Sequence, residues 1–295
     1  MGHGVVQRLG NPVLTLRPHR VGSDPTTLLT ETEFWRGTHT PQGPGTLHLR
    51  WSTGEVEVES FGPGGPWLAA RATDYLGFSD PGHRFGPDAH AVVLDAQRGV
   101  DLRLSNGHCL YHTLLPTVLG QRVTAVEAHR SWRLLCHRYG EPAPGPAPLV
   151  LPPAPEVLAH EPYWRLHPLG VDRQRAEALR TVARYAERLF ALDDTPPAAA
   201  HSFLRRLPGI GEWTIGAALG HALGDTDAVA VGDYHLKNTV AWALAGEARA
   251  SDERMLELLA PYSGQRARVI ALLGIAGVHA PRFGPRQRIQ PIERW

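Results

Sequence analysis

Along this chain the spacing of apolar residues changes from two to about three and a half. Between positions 46 and 60 it alternates: Thr46-Leu47-His48-Leu49-Arg50-Trp51, a turn at Ser52-Thr53-Gly54, then Val56-Glu57-Val58-Glu59-Ser60. Alternation on both sides of a short glycine-containing turn predicts a β-hairpin. Ala91-Val92-Val93-Leu94 predicts a third strand, Val100–Leu104 a fourth, and Pro66–Ala72 a short helix between them. From about Ser105 the period is helical, with Leu110, Leu114, Leu115, Val118 and Leu119 on one face and Gly120 at its end. A second helix is expected from about Thr124 to Tyr139. The run Glu141-Pro142-Ala143-Pro144-Gly145-Pro146-Ala147-Pro148 cannot be helical and reads as a stiff surface loop within the helical part. Further helices are predicted at about 173–191, 198–206, 212–223, 234–244, 251–260 and 265–276. The pattern is that of an α+β protein: a small antiparallel sheet domain over 1–104, an all-helical domain over 105–280, and a tail over 281–295.

Composition narrows this modestly. A length of 295 residues suggests two domains, or one large and one small, and 42% hydrophobic content is ample for packed cores. No stretch approaches the ~18–20 apolar residues of a membrane span. The first residues lack the charged-then-apolar layout of a signal peptide. Two cysteines, Cys109 and Cys136, cannot make a four-thiolate site, and their scarcity fits a reducing, cytoplasmic setting. A net charge of +1 does not by itself predict a nucleic-acid partner. The arginines are unevenly placed, however. Arg205 and Arg206 precede a glycine-rich turn, Arg266 and Arg268 flank another, and Arg282, Arg286, Arg288 and Arg294 crowd the C-terminal end. Any one of them alone reads first as a solvated side chain. Of the 30 basic residues only Lys237 is a lysine, so Schiff-base chemistry has one side-chain candidate besides the N-terminal amine.

Candidate chemistry gathers in the C-terminal half. The turn Leu207-Pro208-Gly209-Ile210-Gly211 joins two helical patterns closely enough that they must form a hairpin. Gly209 and Gly211 would let the backbone approach an anion without a Cβ in the way, and Ile210 would anchor the turn to the core. Trp213 follows on the second helix, and Asp233 opens the next helical pattern. Taken singly, Asp233 is first of all a helix N-cap and Trp213 a core residue. Lys237, one turn beyond Asp233, could pair with that carboxylate or with a phosphate. His108, Cys109 and His112 form a possible metal face, but no further ligand stands at a typical spacing, so capping or packing is the simpler role and no metal is expected. Tyr163-Trp164 reads as an interhelical core contact. No elbow motif supports Ser/His/Asp catalysis.

Taken together, Leu207-Pro208-Gly209-Ile210-Gly211-Glu212-Trp213-Thr214 and, at this spacing, Gly232-Asp233-Tyr234-His235-Leu236-Lys237 resemble the helix-hairpin-helix DNA glycosylase superfamily, and within it the 3-methyladenine DNA glycosylase II branch. Thr117-Val118-Leu119-Gly120-Gln121-Arg122-Val123-Thr124 resembles the family's helix-Gly-Gln-turn segment. The segments at Leu169–Leu179 and Pro261–Arg268 resemble two further family segments in the same order. The likeness is firm over about 105–280; the N-terminal part is similar in size and pattern.

The resemblance implies a monofunctional enzyme of base excision repair. It would flip a damaged, alkylated base out of double-stranded DNA and hydrolyse the N-glycosidic bond. Asp233 would be the catalytic carboxylate, with Trp213, Tyr234, Ala217, Ala276 and Gly277 in the base pocket. The hairpin 207–211 with Gln121, Arg122 and Lys237 would contact DNA, with a monovalent cation on the hairpin carbonyls and no other cofactor. Bifunctional members carry a lysine where this chain has Trp213, so no lyase activity is expected. A monomer acting on duplex DNA, without membrane contact, is the expected working form. Ala217 and Gly274-Ile275-Ala276-Gly277 are small where the branch places aromatics, which implies a wider pocket suited to bulkier adducts. Arg122 stands where a wedge residue fills the gap left by the flipped base, a phosphate contact being the other role open to it. Two other readings stay open: a non-catalytic helix-hairpin-helix DNA-binding module, and a metal-dependent hydrolase built on the histidines.

Overall fold

The computed structural model describes residues 9–281. Strands β1 (Thr27–Leu29), β2 (Glu33–Thr40), β3 (Gly43–Ser52) and β4 (Glu55–Phe61) form one antiparallel sheet in sequence order. The predicted hairpin is β3–β4, with Leu49 opposite Val58 and Trp51 opposite Val56. β2 lacks a legible alternation because the sheet is covered on both faces there, with five consecutive residues, Phe34 to Thr38, buried, and β1 is a three-residue edge strand too short to show one. Phe34, Leu47 and Leu49 pack on Leu16, Leu68 and Tyr75. On the other face Trp35 stacks on His48, 3.6 Å between ring centroids, and packs against Ala143, Leu149 and Leu151. The proline-rich run is therefore a cover for the sheet, not a loop of the helical part. It lies so close that a Cβ on Gly37 would sit 2.8 Å from that of Ala143.

The two further strands do not exist. Ala91–Ala96 is a helix and residues 100–104 have no regular structure. Val93 and Ala96, three apart, join a core with Val240, Met255, Leu259, Val269 and Leu272 of the helices Leu236–Ala245, Asp252–Leu259 and Arg266–Ile275. A four-residue apolar run cannot distinguish helix from strand, and here the partner surface decides. This N-terminal segment thus packs on the C-terminal helices, and a buried ion pair fixes it there. Arg268, 1% exposed, places Nη2 2.6 and 2.7 Å from the two carboxylate oxygens of Asp80 and donates from Nη1 to the Leu102 carbonyl.

A separate core surrounds the helix Leu110–Leu119, with Trp132 from Ala125–Tyr139, Leu179 from Arg173–Arg184, and Ile215 and Leu219 from Glu212–Ala222. The helix expected over 173–191 breaks at Tyr185 (φ −101°, ψ 14°) and resumes over Ala186–Leu192. His108 lies outside the helix that begins at Leu110, and its φ is +43°. Its ring bridges the Asp74 carboxylate and the Asp193 carbonyl, each at 2.8 Å. His112 bridges the hydroxyls of Thr26 and Thr38. Both histidines therefore tie N-terminal segments to the helices. Tyr163 and Trp164 are not core: Trp164 is 62% exposed, and the Arg173 guanidinium lies over the Tyr163 ring. Among the described residues no helix is long and apolar enough to cross a membrane.

Candidate active site

The hairpin forms between the helices Pro197–Leu204 and Glu212–Ala222. Leu207 and Ile210 are buried and anchor the turn. Gly209 has φ +81°, and a Cβ there would lie 2.8 Å from that of Ala178. Its glycine is demanded by the protein's own packing, rather than by the approach of an anion. Gly211 is different: open space surrounds it, and it caps the helix Glu212–Ala222 without a side chain. The first-turn amides of that helix have no intrahelical acceptor, which makes them available to an anion.

Gln121 holds this turn from behind. Its amide donates to the Gly209 carbonyl and to the Thr214 hydroxyl, both at 2.9 Å. Both of its amide protons are thus used inside the protein, where they position the hairpin. The Gly209 carbonyl keeps one lone pair beyond that bond, and the Leu207 carbonyl one beyond the Ile210 N–H, so each could still join a cation's coordination shell. Arg205, expected near a phosphate, pairs with Glu212 at 3.1 Å on the surface. Arg266 is bound to Asp227 and Arg268 to Asp80, so the turn near the end of the chain is braced by its arginines.

Across from the hairpin, the Trp213 indole N–H donates to Asp233 Oδ2 at 3.1 Å. Asp233 Oδ1 accepts from the backbone N–H of His235 and of Leu236, both at 2.8 Å. The carboxylate thus holds the amides that lead into the helix beginning at Leu236 and is itself an oriented group in the cleft. Two glycines bring these side chains together. A Cβ on Gly216 would lie 2.0 Å from the Val229 carbonyl oxygen, so only glycine lets the segment leading to Asp233 cross the helix so closely. A Cβ on Gly120 would lie 3.2 Å from the edge of the Trp213 indole. Asp252 completes the support: its carboxylate accepts from the Gly232 N–H at 3.0 Å and pairs with Lys237 Nζ at 3.5 Å. Lys237 therefore braces the Asp233 loop and does not pair with Asp233 itself.

These groups open on a cleft of about 2060 Å³ where the sheet and the two helical cores meet. Trp213, Ala217 and His221, four residues apart on one helix face, form one wall. Arg122 and Tyr234 stand at its mouth; Tyr234 is 77% exposed, and Arg122 is exposed with φ +57°. Ala276 and Gly277 do not line it, being exposed just past the helix Arg266–Ile275; His279 to Pro281 take that wall. Arg282, Arg286, Arg288 and Arg294 lie outside the described residues. His19, Arg36 and His112 also line the cleft, from the sheet side, and were not anticipated. Burial pushes the His221 imidazole down to about 4. His19 and His112 fall well below the usual imidazole range, burial being the main cause and Arg36 the next.

No family model matches the chain. The Archaeoglobus fulgidus 3-methyladenine DNA glycosylase superposes on 94% of this chain and 97% of its own, with a TM-score of 0.73 at 18% identity. The fold is that of the helix-hairpin-helix DNA glycosylases. The Clostridium acetobutylicum 8-oxoguanine glycosylase/lyase shares it too, with a TM-score of 0.64 at 10% identity over 91% of this chain and 94% of its own. By sequence the chain is similar to the Bacillus subtilis (strain 168) protein named "Putative DNA-3-methyladenine glycosylase YfjP", 24% identical over 160 residues. That match spans 53% of this chain and 54% of the relative, about half of each. The structural likeness is broader than the firm sequence resemblance over 105–280. It takes in most of the N-terminal sheet as well, so the glycosylase fold here extends across sheet and helices together.

Proposed function

We propose that the protein is a monofunctional DNA glycosylase that flips a damaged base from duplex DNA and hydrolyses its N-glycosidic bond. The observation that carries this reading is the Trp213–Asp233 contact, set opposite a hairpin with free first-turn amides. A binding module would use the hairpin but has no need of an oriented carboxylate facing it. Alkylated bases are the substrate class named for the Archaeoglobus and Bacillus proteins, and we adopt it as the starting class here.

In this reading the Glu212–Ala222 amides hold a backbone phosphate beside the lesion, and Arg122 fills the stack vacated by the flipped nucleotide. The C–N bond breaks with its electron pair leaving on the base, and positive charge develops on the sugar. Asp233, held by three donors, stabilises that charge and takes the proton of the water that adds to the sugar carbon. Schiff-base chemistry is not supported: the position beyond the hairpin is Trp213 in place of a lysine, and Lys237, the one amine in the cleft lining, is paired with Asp252. The enzyme works as a monomer on double-stranded DNA and leaves an abasic site.

The test is base release from alkylated duplex DNA by wild type and Asp233→Asn, followed by mild alkali. The expected result is release by wild type, a loss of ~10²–10⁴-fold in the variant, and strand breaks only after alkali. Equal release by both proteins would remove Asp233 from the mechanism. Breaks without alkali would mark a lyase.

A further inference from the structure

The deep side of the cleft is polar and carries a fixed positive charge. Arg36 is 2% exposed, and its guanidinium stays protonated at any working pH. Nη1 donates to the His19 carbonyl at 2.7 Å and to the Thr27 hydroxyl at 3.0 Å, and Nη2 approaches Cys109 Sγ at 3.6 Å. Nε has no hydrogen-bond partner, and no carboxylate among the described residues lies within ion-pair distance; the Asp24 carboxylate, in the same cleft lining, acts on the guanidinium from farther away. His19 lies alongside: Nε2 bonds Ser105 Oγ at 2.6 Å, while Nδ1, also buried, has no partner. The remaining imidazoles of this floor, His112 and His221, are held uncharged by burial. Donors and one cation thus stand where stacked aromatics would be needed to welcome a cationic base.

We infer that Arg36 is a specificity-determining residue that selects uncharged damaged bases bearing a hydrogen-bond acceptor and disfavours cationic N-alkylpurines. The inference rests on the glycosylase reading and moves its substrate class from the cationic alkylpurines it started from to uncharged damaged bases. A base carrying a carbonyl or ring acceptor would complete the Arg36 Nε–H, which otherwise lacks a partner, and a site built to hydrogen-bond a substrate rejects one that leaves such a group unpaired. A ring-alkylated cation such as 7-methylguanine would instead meet a like charge in a poorly solvated site.

Two duplexes test this, one carrying 7-methylguanine and one hypoxanthine at the same position. Release is measured under single turnover and divided by the spontaneous rate of each lesion. Wild type is expected to enhance hypoxanthine release at least ~10-fold more than 7-methylguanine release, and Arg36→Met to bring the two enhancements together. The wild-type ratio decides even where the variant fails to fold. Equal enhancement by wild type, or a greater one for 7-methylguanine, overturns the inference and leaves the glycosylase reading standing. Release of neither base overturns the inference, and the comparison of wild type with Asp233→Asn on alkylated duplex DNA then decides the glycosylase reading separately.

Discussion

Two arginines, each at least 98% buried, show what burial alone does not say. Arg268 meets both oxygens of Asp80, a carbonyl and the Gln265 amide oxygen, and it joins the N-terminal segment to the C-terminal helix. Arg36 lines the cleft with a carbonyl, a hydroxyl and a distant thiol for partners and one N–H unmatched. The first charge is fully compensated inside the fold. The second has one N–H unmatched and meets the Asp24 carboxylate only from beyond ion-pair distance, which a protein tolerates where a ligand completes the set. Arg175, the other arginine as deeply buried among the described residues, follows Arg268: Asp172 and two carbonyls enclose it.

The largest effect expected is at the compensated site. Arg268→Ala leaves the Asp80 carboxylate buried without its cation, and urea unfolding should show a loss of about 3–5 kcal/mol. A loss under about 1 kcal/mol would erase the distinction between the two arginines. Next comes Gly216→Ala, which tests whether the cleft depends on close approach as firmly as the fold depends on the ion pair. The new Cβ must displace the Val229 carbonyl, 2.0 Å away, at a cost of about 1–3 kcal/mol. Because Asp233 follows on the displaced segment, base release should fall far more than stability predicts. Unchanged release would show that the Trp213–Asp233 distance is not set by this crossing.

Much of this was legible in the residues and some of it was not, for physical reasons. The hairpin at 207–211 and the helical half are local patterns with fixed spacing, so they could be read directly; that Trp213 and Asp233 share one site came from the family resemblance, since each alone reads as a core residue and a helix cap. Gly216 was visible as a glycine within a helical pattern, a signal of close backbone approach, but its partner Val229 was not. Asp252 looks like any first-turn acidic residue until the Gly232 N–H is found on it. β2 stayed hidden because two-sided burial removes the alternation that marks a strand, and β1 because three residues are too few to show one. Ala91–Leu94 misled because β-branched residues were read without the surface they pack on. Arg36, in the middle of a strand, carries no sequence mark of its role; the floor of the cleft exists only once sheet and helices meet.

The floor should also announce itself in the pH dependence of stability. His221 titrates at about 4 when folded and His19 and His112 well below their usual value, whereas the unfolded chain's imidazoles titrate near 6.5. Between those limits the unfolded state binds more protons, so stability is complete above about pH 6.5 and falls as pH drops toward 4. Each imidazole adds up to about 1.4 kcal/mol per pH unit to that slope. Urea unfolding at pH 6.5 and 5 should show it, and His221→Gln should make it shallower. An unchanged slope in the variant would mean that the His221 imidazole is not depressed in the folded protein.

The smallest effect on stability is predicted at Arg36 itself, and it separates the two arginines most sharply. Replacing an incompletely paired buried charge by an apolar side chain of similar length removes a desolvation cost along with the hydrogen bonds, and such exchanges are often neutral or stabilising. Arg36→Met should therefore change the unfolding free energy by no more than about 1 kcal/mol, while the preference between hypoxanthine and 7-methylguanine collapses. A variant as damaged as Arg268→Ala would make Arg36 a second structural clamp. One that is stable and unselective would mark it as a residue the fold tolerates for the sake of the base it receives.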